Sequence, residues 1–300
     1  MNRSITKPTT LPRKQYKVDL LPYFLLLPSI ALIGGIIFYP FLTGVYYSLR
    51  EGSLLRLEGF VGLNNYFTLF KQPDFRNALY FSLVFAVFNV FGCYAVGLVL
   101  AMMLNQNIPA QGFLRVCLLL PWVIPSVVSM MSWRWLIADE KGFVNIALNA
   151  LGIGPIYFLS TPGLAIFSVI MVKIWRSFPF MMLSLLAALQ TIDRNLYEAA
   201  QLDGANRWQL FRYITFPHLT GISVVLWILM TIWTVNDFDT PFLLTQGGPS
   251  NATENLVLLA FRYTFRSNDV GLGSAVAVVS LIILMILALL LLRQQRKETP

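Results

Sequence analysis

Residues Tyr197 to Pro217 read YEAAQLDGANRWQLFRYITFP, a polar island in an otherwise oily chain. Asn195, followed three residues later by Glu198, makes a capping-box-like start, and Glu198, Ala199, Ala200, Gln201 and Leu202 favour about two turns of helix. Asp203-Gly204 breaks the run, because a glycine takes up the left-handed conformation that ends a helix. From Ala205 to Ile214 the apolar spacing of Trp208, Leu210, Phe211 and Ile214 predicts a second helix. Pro217 then stops that helix or opens the next segment, since it lacks an N–H and its ring clashes inside a helix. The expectation is helix, glycine turn, helix.

The chain around this island is 57% hydrophobic and 12% charged over 300 residues, with a mean hydropathy of +0.66. A soluble domain carries about 25% charged residues, so the class is all-α integral membrane protein. The formal net charge of +8 invites nucleic acid as a partner, but the basic residues are scattered rather than gathered on one soluble face, which excludes it. Cys93 and Cys117 sit in apolar runs with no spacing for a disulfide framework or a zinc site, and read as small packing residues.

Six spans are expected: 20–48, 78–103, 113–137, 163–190, 217–238 and 271–292, each long enough for an apolar layer of about 30 Å. Residues 1–19, with Arg3, Lys7, Arg13, Lys14 and Lys17, read as a cytoplasmic tail, residues 20–292 as the membrane domain, and 293–300 as a second cytoplasmic tail. The first apolar run is too long for a signal-peptide core and lacks a cleavage pattern, so it should remain as a span. Pro121 and Pro125 predict a bent third span. Residues 49–77, 138–162 and 239–270 are expected as outer loops. With the N-terminus inside, basic residues of the inner segments (the tail, Arg115, Arg194, Arg207, Arg212, Arg293, Arg296 and Lys297) outnumber those outside. That bias places both termini and the polar island in the cytoplasm.

The island resembles the EAA loop of membrane permease subunits of binding-protein-dependent ABC importers. Glu198-Ala199-Ala200, Gly204 six residues after the Glu, Ile214 ten after the Gly and Pro217 three after the Ile carry the likeness, with Phe216 where the family often has Leu. The similarity extends over most of residues 20–292. Trp175-Arg176, Pro179-Phe180 and Ala188-Leu189-Gln190 resemble the carbohydrate-importing branch, as do Leu244-Thr245-Gln246-Gly247-Gly248-Pro249 with Thr253, and the small residues Gly273, Ala275 and Ala277. The large outer insertion and two additional spans of some maltose permeases are missing, which leaves the minimal six-span form.

The resemblance implies a multi-pass bacterial inner-membrane protein, six helices with a coupling loop, 194–217, between spans 4 and 5. It implies docking of Glu198, Ala199, Ala200, Asp203, Gly204, Ala205, Ile214 and Pro217 on an ATPase. The implied partners are a second, homologous six-span permease, two ATPase subunits that hold ATP and Mg, an extracytoplasmic solute-binding protein, membrane lipid and a carbohydrate substrate. A homodimer is the alternative to the permease heterodimer, and an anionic solute such as a sugar acid or glycerol phosphate the alternative to a neutral sugar. Aligned through its anchors, the resemblance places the sugar site at Trp175, Arg176, Ser177, Phe180, Met230, Trp233, Thr234 and Asp237. That set mixes aromatic faces with hydrogen-bonding groups, as selective pockets do. Arg176 lies about 13 residues into span 4, roughly 20 Å along the helix, and must face a cavity or a partner. An Arg176–Asp237 ion pair is the alternative, with Lys173 packing or snorkelling.

No phosphate-loop pattern G-x-x-x-x-G-K-[ST] occurs, so energy is expected from a partner or an ion gradient, and no catalytic residue and no cofactor of this chain's own are assigned. His218 has no second His or nearby thiol and reads as an interfacial side chain rather than a metal ligand. The sequon Asn251-Ala252-Thr253 reads as chance. An ion-coupled carrier using Lys173, Arg176 and Asp237, and a membrane enzyme using Asp237 and Asp239, are the readings from other classes.

Overall fold

The computed structural model describes residues 21–106 and 108–298, in two units that divide between Thr43 and Gly44. The expected tail 1–19 lies outside the described residues. In the first unit, α1 (Leu21–Ile33) carries Pro28 and passes through a π-helical turn, Gly34–Phe38, into α2 (Tyr39–Ser48). The Tyr39 N–H reaches back to Gly34 O. The widened turn shifts the hydrogen-bond ladder just before Pro40, which has no N–H to contribute.

The second unit takes in the end of α2, from Gly44, and then segments expected as loop. Strands β1 (Arg50–Gly52) and β2 (Leu57–Phe60) form an antiparallel hairpin, a departure from an all-helical chain, and α3 (Asn64–Lys71) follows. The Asn65 amide donates to Ser48 O at 2.9 Å and Arg50 O at 2.8 Å, which ties this cap together. Helix α4 (Pro73–Leu104) opens with proline in its first turn, where the missing N–H would be unpaired in any case. Next come α5 (Gln111–Val123) and α6 (Ser126–Leu136), bent by 91° relative to each other. Ile124, between them, is extended at φ −64°, ψ 133°, as a residue before proline prefers. The bend expected in the third span from Pro121 and Pro125 falls at the residue before Pro125, while Pro121 lies inside α5.

Helix α7 (Phe143–Ala150) leads to α8 (Pro162–Leu189), and a short hairpin, α9 (Arg194–Leu202) and α10 (Arg207–Leu210), leads to α11 (Phe216–Val235). A π turn, Phe211–Thr215, joins α10 to α11, so that Arg207–Val235 is one uninterrupted helix. Pro217 does not stop it, contrary to one of the two expectations. The Phe216 N–H bonds to Phe211 O, which widens the ladder where the ring would otherwise meet the preceding turn. Helices α12 (Asp239–Thr245) and α13 (Leu256–Phe261), a π turn Arg262–Arg266 and α14 (Val270–Glu298) complete the chain. The expected tail from residue 293 continues α14 as helix as far as Glu298. Among the described residues, five helices qualify by length and composition as membrane spans, six with the bent pair α5–α6.

The core lies where α4, α8 and α11 meet. Val90, Cys93, Tyr94 and Ala101 of α4 pack on Phe178, Met181, Met182 and Leu185 of α8, and Leu219, Leu226 and Met230 of α11 close the same cluster. At Gly97 the two long helices touch through backbone: a Cβ there would fall 2.8 Å from Met181 Cβ and 2.9 Å from Met182 N. Helix α14 packs Ala275, Val276 and Val279 on Leu69, Phe75 and Leu259. Gly273 meets Thr264 Oγ1 and Ala260 O in the same way, whereas Ala277 is exposed. Gly97→Ala should lower the melting temperature of the solubilised protein, with an overpacking cost of about 1–3 kcal/mol. Gly112→Ala, with nothing within 4 Å, should leave it unchanged or raise it. Equal melting temperatures for the two variants would show that α4 and α8 can separate without cost.

Candidate functional site

At one end of the second unit, the hairpin α9–α10 is assembled from local rules. The side chain of Asp193, not Asn195, caps α9, accepting the Asn195 N–H at 2.9 Å. The reciprocal capping box belongs to α10, between Asn206 and Gln209. Asn195 lies two residues too late to cap a helix that already includes Arg194. At the turn, Ala205 N–H reaches Ala200 O at 2.9 Å and Gly204 N–H reaches Gln201 O at 3.0 Å, a Schellman closure with Gly204 at φ +84°. Tyr197 and Thr215 hydroxyls meet at 2.9 Å and pin α9 to the π turn.

The hairpin has two faces. Arg194, Tyr197, Glu198 and Gln201 recur at helical spacing on the side that looks into a cleft of about 970 Å3, bounded by the ends of α4 and α8 and the start of α5. Leu202, Trp208 and Tyr213 are 90%, 69% and 74% exposed. Of the expected coupling residues, Glu198, Ala199, Asp203, Gly204 and Pro217 are exposed, while Ala200, Ala205 and Ile214 are half-buried. His218 Nδ1 donates to Ile214 O at 2.7 Å. Among the described residues, no three His, Cys, Asp or Glu side chains gather where they could hold a metal ion.

At mid-depth, α8 and the far end of α11 bring the expected solute residues together unequally. Phe180 lies between Trp233, at 4.8 Å, and Trp122 of α5, at 6.0 Å, and Trp175 meets Trp133 of α6 edge-on at 5.4 Å. Trp233 is 45% exposed. Arg176 and Ser177 are half-buried on the same side of α8. The Arg176 Nε is buried without a hydrogen-bond partner, an arrangement that costs about 1–3 kcal/mol unless an oxygen arrives from elsewhere. Met230 and Thr234, by contrast, belong to the interior. Thr234 Oγ1 accepts from the Asn89 amide at 2.6 Å and donates to Met230 O at 2.6 Å.

Asp237 pairs with Lys173, Nζ to Oδ2 at 2.9 Å, and not with Arg176. Lys173 thus neither snorkels nor merely packs. Three residues rotate a helix so that Lys173 and Arg176 point about 60° apart, and Lys173 is the one turned toward the end of α11. Asp237 Oδ2 also accepts from Thr240 Oγ1 at 2.5 Å. Asp239 accepts from Ser126 Oγ at 2.6 Å, so the two aspartates have separate partners.

Above this pair the glycine-rich segment folds into a cap. Asn255 donates to Asp237 O at 2.6 Å and accepts the Leu258 N–H at 2.9 Å. Thr253 donates to Gly248 O at 2.8 Å and meets Thr245 Oγ1 at 2.6 Å. Arg262 bonds both Glu254 oxygens, at 2.7 and 2.9 Å, and Asp74 at 2.7 Å. The bonds to Glu254 above all hold this guanidinium more firmly protonated than an ordinary arginine. Sequence reasoning missed this network, since Glu254 lies before α13 begins and Asp74 is 188 positions away from Arg262. Asn89, a polar interruption of span 2, was the available signal for the contact with Thr234.

Long apolar helices, a hydrophilic hairpin at one end and a half-open aromatic face at mid-depth define a membrane transport subunit. Residues 94–297 match the family model described as binding-protein-dependent transport system inner membrane component, and the chain belongs to that family. It is 34% identical over 270 residues to the trehalose/maltose transport system permease protein MalF of Thermococcus litoralis, covering 90% of this chain and 91% of that one. It is 36% identical over 290 residues to the sulfoquinovosyl glycerol transport system permease protein SmoG of Agrobacterium fabrum, covering 94% of each. Among solved structures, a chain of a bacterial ABC transporter involved in the import of the acidic polysaccharide alginate matches in fold. Its TM-score is 0.83 at 23% identity, over 94% of this chain and 97% of that one.

Lys173 and Asp237 are 6% and 8% exposed, so removing one partner strands a buried charge. Lys173→Met should destabilise the protein by about 3–5 kcal/mol, and Lys173→Met with Asp237→Leu should recover most of that loss. Thermal unfolding in detergent reads both, and equal melting temperatures for the single and double variants would contradict the pairing.

Proposed function

We propose that this chain is the permease subunit of an ATP-driven importer and forms half of a pathway for a carbohydrate handed over by an extracytoplasmic binding protein. A second, homologous permease supplies the other half, and two ATPase subunits hold ATP and Mg and carry out hydrolysis. The hairpin and both termini lie in the cytoplasm. The names of the trehalose/maltose and sulfoquinovosyl glycerol relatives support a carbohydrate cargo.

The observation that carries the reading is the continuity of Arg207–Val235, which joins the hairpin to the turn bearing Trp233 without a break. The exposed Leu202, Trp208 and Tyr213 face offers an apolar surface to the ATPase. Nucleotide-driven movement of that subunit then reaches mid-depth through α11. There, Phe180, Trp233 and Trp122 offer ring faces to the C–H surfaces of a sugar, and Arg176 offers donors to its oxygens. The unpartnered Arg176 Nε also favours a second reading, an anionic sugar derivative, because charge-assisted bonds to a guanidinium are the stronger ones.

Arg176→Ala and Trp233→Ala should each reduce binding-protein-dependent uptake into proteoliposomes about tenfold or more, equivalent to about 1.4 kcal/mol. Subunit assembly and basal ATP hydrolysis should stay intact. Unchanged uptake kinetics in both variants would place the solute elsewhere.

Gly204→Asp should abolish transport while membrane insertion is retained. A side chain at positive φ costs roughly 1–2 kcal/mol and opens the Schellman turn. Wild-type uptake in that variant would remove the hairpin from the coupling path.

A further inference from the structure

The cleft between the hairpin and the helix ends has a composition that coupling alone does not require. Arg115, Arg194 and Arg207 face it together with Gln111, Gln190 and Gln201, against a single carboxylate, Glu198. The ion pairs among the described residues involve Lys173 and Arg262 and none of these three arginines. The Arg115 Nε is buried without a hydrogen-bond partner. The carbonyl ends of α4 and α8 reach the cleft, but so do the N–H ends of α5, α9 and α10, so the helix dipoles largely offset one another. What remains is a cationic chamber of about 970 Å3 with amide side chains on several walls.

That chemistry names a class of ligand. A guanidinium fork matches the oxygens of a phosphate, and primary amides both donate and accept, which suits vicinal hydroxyls. We infer that the cleft binds a phosphate ester of a polyol, either a free sugar phosphate or the phosphoglycerol headgroup of a lipid, and that its occupancy restrains the hairpin. Such a ligand would bridge Arg115 on α5 to Arg194 and Arg207 on the hairpin. It would favour the hairpin position seen here over any in which those arginines separate, which is the differential affinity that a conformational effect needs. The inference rests on the proposed function for its physiological side, the cytoplasm, and for the consequence, slower coupling.

The test uses the assembled transporter, this chain with its partner permease and ATPase subunits. In detergent, glucose 6-phosphate and glycerol 3-phosphate should raise the melting temperature saturably and slow solute-stimulated ATP hydrolysis, while glucose and glycerol do neither. Arg115→Gln should weaken the apparent affinity about tenfold or more, and Arg115→Lys should recover part of it, with probe-free hydrolysis and subunit co-purification unchanged. In the second arm, phosphatidylcholine vesicles with and without phosphatidylglycerol identify the lipid as the source if only the anionic vesicles give the Arg115-dependent slowing. The inference falls if neither source produces a saturable effect or if the effect persists in Arg115→Gln. Loss of the ATPase subunit from the Arg115→Gln complex would also overturn it, by showing that the arginine serves that subunit's carboxylates. Binding-protein-dependent uptake by the wild-type complex without any probe tests the proposed function separately.

Discussion

The backbones of α4 and α8 meet where Gly97 faces Met181 and Met182, and the positions of the other helices in the second unit follow from that approach. In an apolar solvent there is little hydrophobic drive between helices, so close van der Waals contact and a few interior polar bonds decide which faces join. Once α4 and α8 are this close, their shared groove accepts α11 through Leu219, Leu226 and Met230. The Asn89–Thr234 bond then fixes the rotation of α11 about its axis. Rotation matters more than position here, because it turns Met230 and Thr234 inward and leaves Trp233 on the open side.

The same rotation separates structural charge from available charge. Lys173 and Asp237 satisfy each other in the interior. Arg176, one turn further along α8, keeps a donor without a partner. A membrane segment with two cations a turn apart thus uses one to hold helices together and leaves the other on the half-buried side.

Much of this was legible in the sequence where one residue type has one physical task. Gly204 announces the end of α9 because few other residues accept its φ, and Pro125 announces the break in span 3 because the residue before proline leaves the helical region. The spans follow from hydropathy, which backbone satisfaction in lipid makes nearly obligatory. Legibility fails where two residues offer the same service. Asp193 and Asn195 are both good caps, and only the register of α9 chooses between them. Lys173 and Arg176 are both possible partners for Asp237, and only helix phase decides. Pro217 reads either as a stop or as an early residue of the next segment, and it opens α11; the π turn that accommodates it there has no sequence signature of its own. The strands β1 and β2, of three and four residues, are too short to show an alternation, and the Arg262–Asp74 contact spans 188 positions, which local periodicity does not encode.

The helix that begins at Arg207 and ends at Val235 is long relative to the layer it crosses, about 43 Å at the usual rise per residue. A rod of that length pivoting near its middle converts angle into travel: a tilt of about 10° displaces each end by about 4 Å in opposite directions. Four ångströms is about the thickness of a stacked ring. A stroke that small at the hairpin is therefore enough to open or close the gap between Trp233 and Phe180 without unwinding a turn of helix or breaking a backbone hydrogen bond.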